Sequence, residues 1–131
     1  MIEAALRSAL ISDATLKLLI GSRVYPGTAP DDAQRPYLVY RVVSQQSGSA
    51  ENEMTCRFDV EVYPLNTIES PGYGTAVTLA KAVGRIGQSM LGQQTDGCIH
   101  SSSKPKTRDT LFRATNQHGR LVELFFRYTE D

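Results

Sequence analysis

The stretch from Met54 to Tyr63 constrains this chain more than any other. Cys56, Phe58, Val60 and Val62 alternate with Arg57, Asp59, Glu61 and Tyr63. Period two puts the two sets on opposite faces of a strand, one buried and one wet. Val, Phe and Tyr suit a pleated, half-buried surface, and Pro64 ends the run because it cannot donate to a ladder. The period then changes. Tyr73, Ala76, Val77, Ala80, Val83, Gly84, Gly87, Met90 and Leu91 recur at helical spacing, with Thr75, Thr78, Lys81, Arg85 and Gln88 opposite them. This predicts an amphipathic helix of roughly five turns. Its apolar face is built mostly from small residues, so it can lie close against something flat. The apolar face of the preceding strand is the natural partner.

The rest of the chain arranges itself around that pair. Ile2, Ala5, Leu6, Ala9 and Leu10 form a helical stripe, with Glu3 in the first turn where a carboxylate favours the helix dipole. Ser12-Asp13 can cap a second short turn, Ala14 to Ile20, which Gly21 terminates, so this first helix is expected to break near Ser12 and resume. Arg23 to Gly27 reads as a brief strand ending in a turn, and Thr28 to Arg35 as a polar loop. Tyr37 to Val43 is apolar on both faces, the pattern of a strand covered on both sides. Ser44 to Glu53 has no hydrophobic period and is expected to be a long, mobile hairpin loop. After the long helix, Gly92 and Asp96-Gly97 are turn signals. Strands are expected over Cys98–Ser102 and Arg108–Ala114, a hairpin turn at Asn116–Gly119, and a last strand over Arg120–Thr129. Its core face is Val122, Leu124, Phe126 and Tyr128. The order α-β-β-β-α-β-β-β gives an α+β fold, a mostly antiparallel sheet with both helices packed on one face. At 131 residues, one domain spanning 1–131 is expected.

The chemistry-bearing residues are sparse. Fourteen basic and fourteen acidic residues balance, which argues against a protein whose main task is neutralising phosphate backbones. No apolar run reaches the ~20 residues of a membrane helix, and Met1 to Arg7 does not resemble a secretory signal, so the expected compartment is the cytosol. There Cys56 and Cys98 read as free thiols rather than a disulfide. Cys98-Ile99-His100, with only His118 and Cys56 to complete a set, does not meet zinc spacing. Ser101, His100 and Asp96 are neighbours in sequence and lack a nucleophile elbow. Gly84-Arg85-Ile86-Gly87 sits inside a helical pattern and matches no phosphate fingerprint. Lys104, Lys106 and Arg108 form a basic cluster without interleaved aromatics, and Asp59, Glu61 and Glu123 an acidic patch on the outward sheet face. No catalytic, cofactor-binding or metal-ligating set emerges, and an enzyme is the least supported class.

What remains is surface. With both helices on one face, Tyr37, Val39, Val43, Leu121 and Phe125 are left facing outward on the other. Contiguous exposed apolar surface marks an interaction site. Arg41, Arg113 and Arg127, against Asp59 and Glu61, supply charges for the same purpose. Gln46, Gly48 and Glu51 in the long loop are further candidates for contact with a neighbour. A two-fold dimer would pair identical patches, whereas a ring needs two different, complementary surfaces; the residues are compatible with either.

The order of motifs resembles a known family. The N-terminal helix leads to Gly21-Ser-Arg-Val-Tyr-Pro-Gly, the loop ends at Arg35-Pro-Tyr-Leu-Val-Tyr, and Phe58-Asp-Val-Glu-Val-Tyr precedes a long Ala-rich helix. This is similar to the tail completion proteins of long-tailed bacteriophages, which resemble the lambda-type tail terminator. The resemblance covers nearly the whole chain, and its C-terminal third matches in pattern more than in residues. It implies a non-enzymatic virion protein without cofactors. Such proteins cap the tail tube, stop its polymerisation and provide the face that joins the head, acting as a ring of six. The partners it implies are further copies of the chain, the tail tube protein and a head completion or connector protein, with DNA passing through the lumen and no membrane. The implied location is the tail end at the head–tail junction, assembled in the bacterial cytoplasm. The competing reading is a small α+β ligand-binding or regulatory module that dimerises through its sheet.

Overall fold

The computed structural model describes residues 2–47, 53–64, 73–90, 97–102, 105–112 and 117–130. The elements run α1 (Ile2–Ser12), α2 (Ala14–Ile20), β1 (Val24–Pro26), β2 (Tyr37–Ser47), β3 (Glu53–Tyr63), α3 (Tyr73–Ser89), β4 (Gly97–Ser102), β5 (Lys106–Phe112) and β6 (Gln117–Glu130). The expected α+β class and element order hold, with the N-terminal helix split in two at the Ser12-Asp13 break. No helix among the described residues is long and apolar enough to cross a membrane.

The split has a local cause. Asp13 leaves the helical region (φ −69°, ψ 129°), and its Oδ2 accepts from the Leu16 amide at 3.1 Å. Arg85 of α3 grips the same carboxylate at 3.2 and 3.3 Å, so the cap also ties α2 to the long helix. Burial pushes the Asp13 pKa up, but the Leu16 amide and the Arg85 guanidinium outweigh it and hold the group below its ordinary value. Gly21 closes α2 at φ +59°, a conformation that disfavours a Cβ, and its N–H donates to the Lys17 carbonyl.

The six strands form one sheet in the order β1-β2-β3-β6-β4, with β5 also paired to β6. Among the described strands, only β1–β2 is parallel. β4 pairs with Phe126–Glu130 and β5 with Gln117–Glu123. The two therefore share one edge of β6 end to end, as a single strand interrupted around Pro105. Phe58, Val60, Val62, Val122, Leu124, Phe126 and Tyr128 turn one sheet face inward against Leu6, Leu10, Leu16, Ile20 and the apolar face of α3. That face is broader than its small-residue stripe predicts. Leu79, Ala82 and Ile86 are buried too, because α3 packs against the α1–α2 pair as well as the sheet. Close approach to the sheet occurs at Gly87, where an added Cβ would stand 2.7 Å from Leu124 Cδ2.

Two expectations about strand limits need correcting. Ser44–Ser47 and Glu53 are not loop: β2 runs on to Ser47 and β3 begins at Glu53, paired from Ser44↔Arg57 to Ser47↔Met54. Likewise Asn116–Gly119 is not a hairpin turn as a unit. Gln117, His118 and Gly119 already pair with Phe112, Leu111 and Thr110. The β2–β3 hairpin continues into a stretch where Ser44–Ser47 are exposed. There the strand is held by backbone ladders and no face needs to be apolar, so the period-two signal stops before the strand does.

Candidate functional site: the helix-free face of the sheet

The face opposite the helices carries Tyr37, Val39, Arg41, Asp59, Glu61, Leu121, Phe125 and Arg127 in adjacent registers of β2, β3 and β6. A bulge between Val42 and Ser44 then changes the parity of β2. Beyond it Ser44 and Gln46 join this face, while Gln45 turns to the helix side and donates to the Tyr128 hydroxyl at 2.5 Å. Val43 lies at the bulge and is 42% exposed.

This face is not the open apolar patch the alternation predicts. Tyr37, Val39 and Leu121 are buried within the single chain. Gly27, at φ +76°, turns the chain after β1, and its N–H donates to the Tyr40 carbonyl at 2.9 Å. The loop that follows runs back over the β1 end of the face. Beneath it Tyr37 stacks on Tyr63 (ring centroids 4.6 Å apart) and meets Tyr25 edge-on at 5.7 Å. Between loop and sheet lies a cleft of about 620 Å³ lined by Pro30, Asp31, Arg35, Tyr37, Arg41, Glu61 and Tyr63, among others.

The charges on the face are also largely spent within the chain. Arg41 Nη2 donates to Glu61 Oε1 at 2.6 Å and to the Gly27 carbonyl at 2.9 Å, so it locks the loop to the sheet. Burial nevertheless raises the Glu61 pKa, with Arg41 opposing it. Burial likewise raises that of Asp59, with Arg57 opposing and Glu123, its cross-strand neighbour, reinforcing. Tyr63 is pushed up to about 12 by burial and by the nearby Glu61 carboxylate. Arg108 reaches Glu123 at 3.9 Å. The Arg41–Glu61 pair therefore closes an internal contact, and neither partner is held free for a neighbouring subunit.

A different region retains open charge. At the end of the face carried by the extended β2–β3 hairpin, Ser44, Gln46, Thr55, Arg57, Phe125 and Arg127 line a second cleft of about 360 Å³. Arg57 Nε faces Asp59 Oδ1 at 3.5 Å. Both atoms are buried and neither has a hydrogen-bond partner, so this ion pair is loosely made. Arg127 is exposed and has no ion-pair partner among the described residues. Lys106 sits over the Phe125 ring at 5.7 Å. The cleft is thus cationic, with hydroxyl and amide groups as its floor. Ser44, Thr55 and Arg57 were not among the expected site residues; the β2 bulge that brings Ser44 onto their face has no signature in the sequence.

Of the expected site residues, Tyr37, Val39, Arg41 and Glu61 gather at the loop-covered part of the face, Gln46, Phe125 and Arg127 at the cationic cleft, and Asp59 lies against Arg57 of that cleft. Val43 lies between them. Gly48, Glu51 and Arg113 lie outside the described residues, as do Lys104 and the side chains of Cys98, His100, Ser101 and His118. Cys56 is buried and free. Among the described residues, no three His, Cys, Asp or Glu side chains gather as a metal site would require. One further apolar feature stands apart. Leu18 is 89% exposed on α2, as it must be on a two-turn helix whose Leu16 and Ile20 point inward.

Comparison with known proteins gives two results. Residues 4–86 match the family described as tail completion protein gp17. Among solved structures, a chain of the virion of a native gene transfer agent particle superposes with a TM-score of 0.68 at 20% identity, covering 99% of this chain and 95% of that one. The likeness extends the shared fold over β4, β5 and β6, beyond the matched residues. No curated protein sequence matches the chain.

Proposed function

Since the chain belongs to the tail completion protein family, whose description it matches over residues 4–86, we propose that this structural tail protein caps the completed tail tube. In this reading it stops further polymerisation and presents the surface to which the head joins. It does so as a ring of six copies, with DNA passing through the lumen. Its partners are other copies of itself, the tube protein and a head completion or connector protein. It acts at the head–tail junction, after assembly in the host cytoplasm. The observation that carries the reading is the family match over more than half of the chain. The form of the molecule supports it. Among the described residues the three helices lie on one side of the sheet, and the part of the opposite side that the loop does not cover is open for contacts between proteins.

The test is microscopy of the protein mixed with purified tail tubes, alongside tails assembled in its absence. Rings at one tube end, and tails of uncontrolled length without the protein, are the expected results. Phe125→Lys should leave the monomer folded, because Phe125 is only half-buried, and should abolish both capping and rings. A stable two-fold dimer that never binds tubes would replace this reading with that of a regulatory module dimerising through its sheet.

A further inference from the structure

One end of the helix-free face holds the exposed Arg127 and the other the exposed Asp31 and Asp32, none of them with an ion-pair partner among the described residues. At the hairpin end, the Arg57–Arg127 cleft holds two guanidiniums against hydroxyl and amide groups, with no carboxylate among the described residues of its lining. At the β1 end, the covering loop presents Asp31 and Asp32, both exposed and without a hydrogen bond or ion pair among the described residues. Along β2, Val39 under the loop and Gln46 in the cleft are about 20 Å apart at ~3.3 Å per residue. Arg41, bonded to both Gly27 and Glu61, pins the start of the loop at its own end. The acidic loop therefore cannot reach the cleft of its own chain. It can reach that of another copy.

We infer that the Arg57–Arg127 cleft receives the Asp31–Asp32 loop of a second copy of this chain. The contact joins two different surfaces, one at each end of the molecule. Repeated head to tail, it propagates around a ring rather than closing as a two-fold dimer. A cleft of about 360 Å³ accommodates one or two carboxylate side chains, and planar guanidiniums bind carboxylates in pairs of parallel hydrogen bonds. The half-made Arg57–Asp59 pair leaves Arg57 able to donate to the incoming carboxylate. This inference rests on the ring reading above and specifies its subunit contact.

The experiment is a charge swap read by mass photometry at low and high salt. Arg127→Glu and the pair Asp31→Lys with Asp32→Lys all alter exposed side chains, so circular dichroism should match that of the unaltered chain. Each variant should raise the concentration of half-assembly about tenfold or more at low salt. Combining all three in one chain should bring it back towards that of the unaltered chain, and added salt should weaken assembly of the unaltered chain. Unchanged assembly in both variants, with rings still seen on tubes, overturns the contact and leaves the tail-end reading intact. Loss of tube binding alone, with self-assembly kept, also overturns it, because the cleft would then serve an acidic segment of the tube. Loss and rescue as expected, in a protein that never binds tubes, supports the contact and overturns the tail-end role. A chain that stays monomeric under every condition, tubes included, overturns both.

Discussion

Two glycines three residues apart on α3 offer a direct measure of how tightly this helix sits on its sheet. At Gly84 an added Cβ would meet Pro105 Cγ at 3.5 Å, an ordinary contact. At Gly87 it would meet Leu124 Cδ2 at 2.7 Å and Cδ1 at 3.3 Å. The substitution to Ala is chemically the same in both. In a helix interior it contributes up to ~1 kcal/mol through reduced backbone freedom, somewhat less at Gly87 because it lies in the last turn. Gly84→Ala should therefore stabilise by about 0.5–1 kcal/mol. At Gly87 the gain meets an overpacking cost of ~1–3 kcal/mol. Leu124 is 1% exposed and enclosed by its neighbours, so its methyl groups have little room to retreat. The net effect should be a loss of about 1–2 kcal/mol, which separates the two variants by roughly 2 kcal/mol, or several degrees in Tm. Leu124→Ala in the Gly87→Ala background should remove most of the added penalty, a non-additive result expected of neighbours in contact. Denaturant midpoints with a common m-value are the assay. Equal stabilisation at both glycines would refute the close approach and, with it, the placement of α3 against β6.

Three other perturbations probe separate links. Val60→Asp places an unpaired charge at a fully buried site of the β3 core face and should cost several kcal/mol, whereas Glu61→Gln one residue along, which weakens the pair with Arg41, should cost no more than ~1 kcal/mol by chemical denaturation. Asp13→Ala removes the α2 cap and the Arg85 contact and should cost ~1 kcal/mol. Because the folded pKa of Asp13 is lowered, its contribution is full above the unfolded value of 3.8 and fades as pH falls through the folded one. The gap between variant and parent should therefore close in acid. Burial pushes the Cys56 thiol up to about 11, so in a Cys98→Ser background thiol labelling at neutral pH should be slow when folded and fast in denaturant.

The sequence made the helix-covered half of the molecule legible, because there burial imposes a period. Cys56, Phe58, Val60 and Val62 on β3, and Val122, Leu124, Phe126 and Tyr128 on β6, could be assigned to one face from alternation alone, and the structure buries all of them. The break at Ser12-Asp13 was legible for another local reason, the side chain that caps a helix. Leu79 and Ile86 were not, since the second partner of α3 is distant in sequence. The other face was misread in an instructive way. Tyr37, Val39 and Leu121 do point away from the helices, but a loop with no hydrophobic pattern covers part of that face. A polar loop announces nothing about what it lies on.

That same loop explains why the charges were hard to place. Arg41 and Glu61 looked like surface charges available to a neighbour, and each would be if β2 and β3 stood alone. Gly27 brings its own carbonyl to Arg41 at 2.9 Å, and the guanidinium then serves the loop and the carboxylate together. The bulge at Val43 has the opposite effect at the other end of β2. It shifts Ser44 and Gln46 onto the face of Arg57 and Arg127, where no loop arrives to supply acceptors among the described residues. β2 thus begins under a cover that satisfies Arg41 and ends beside Arg127 of β6, which has no ion-pair partner among the described residues. A subunit with unlike ends of this kind has a direction along its sheet, and a directional subunit can be joined repeatedly to copies of itself.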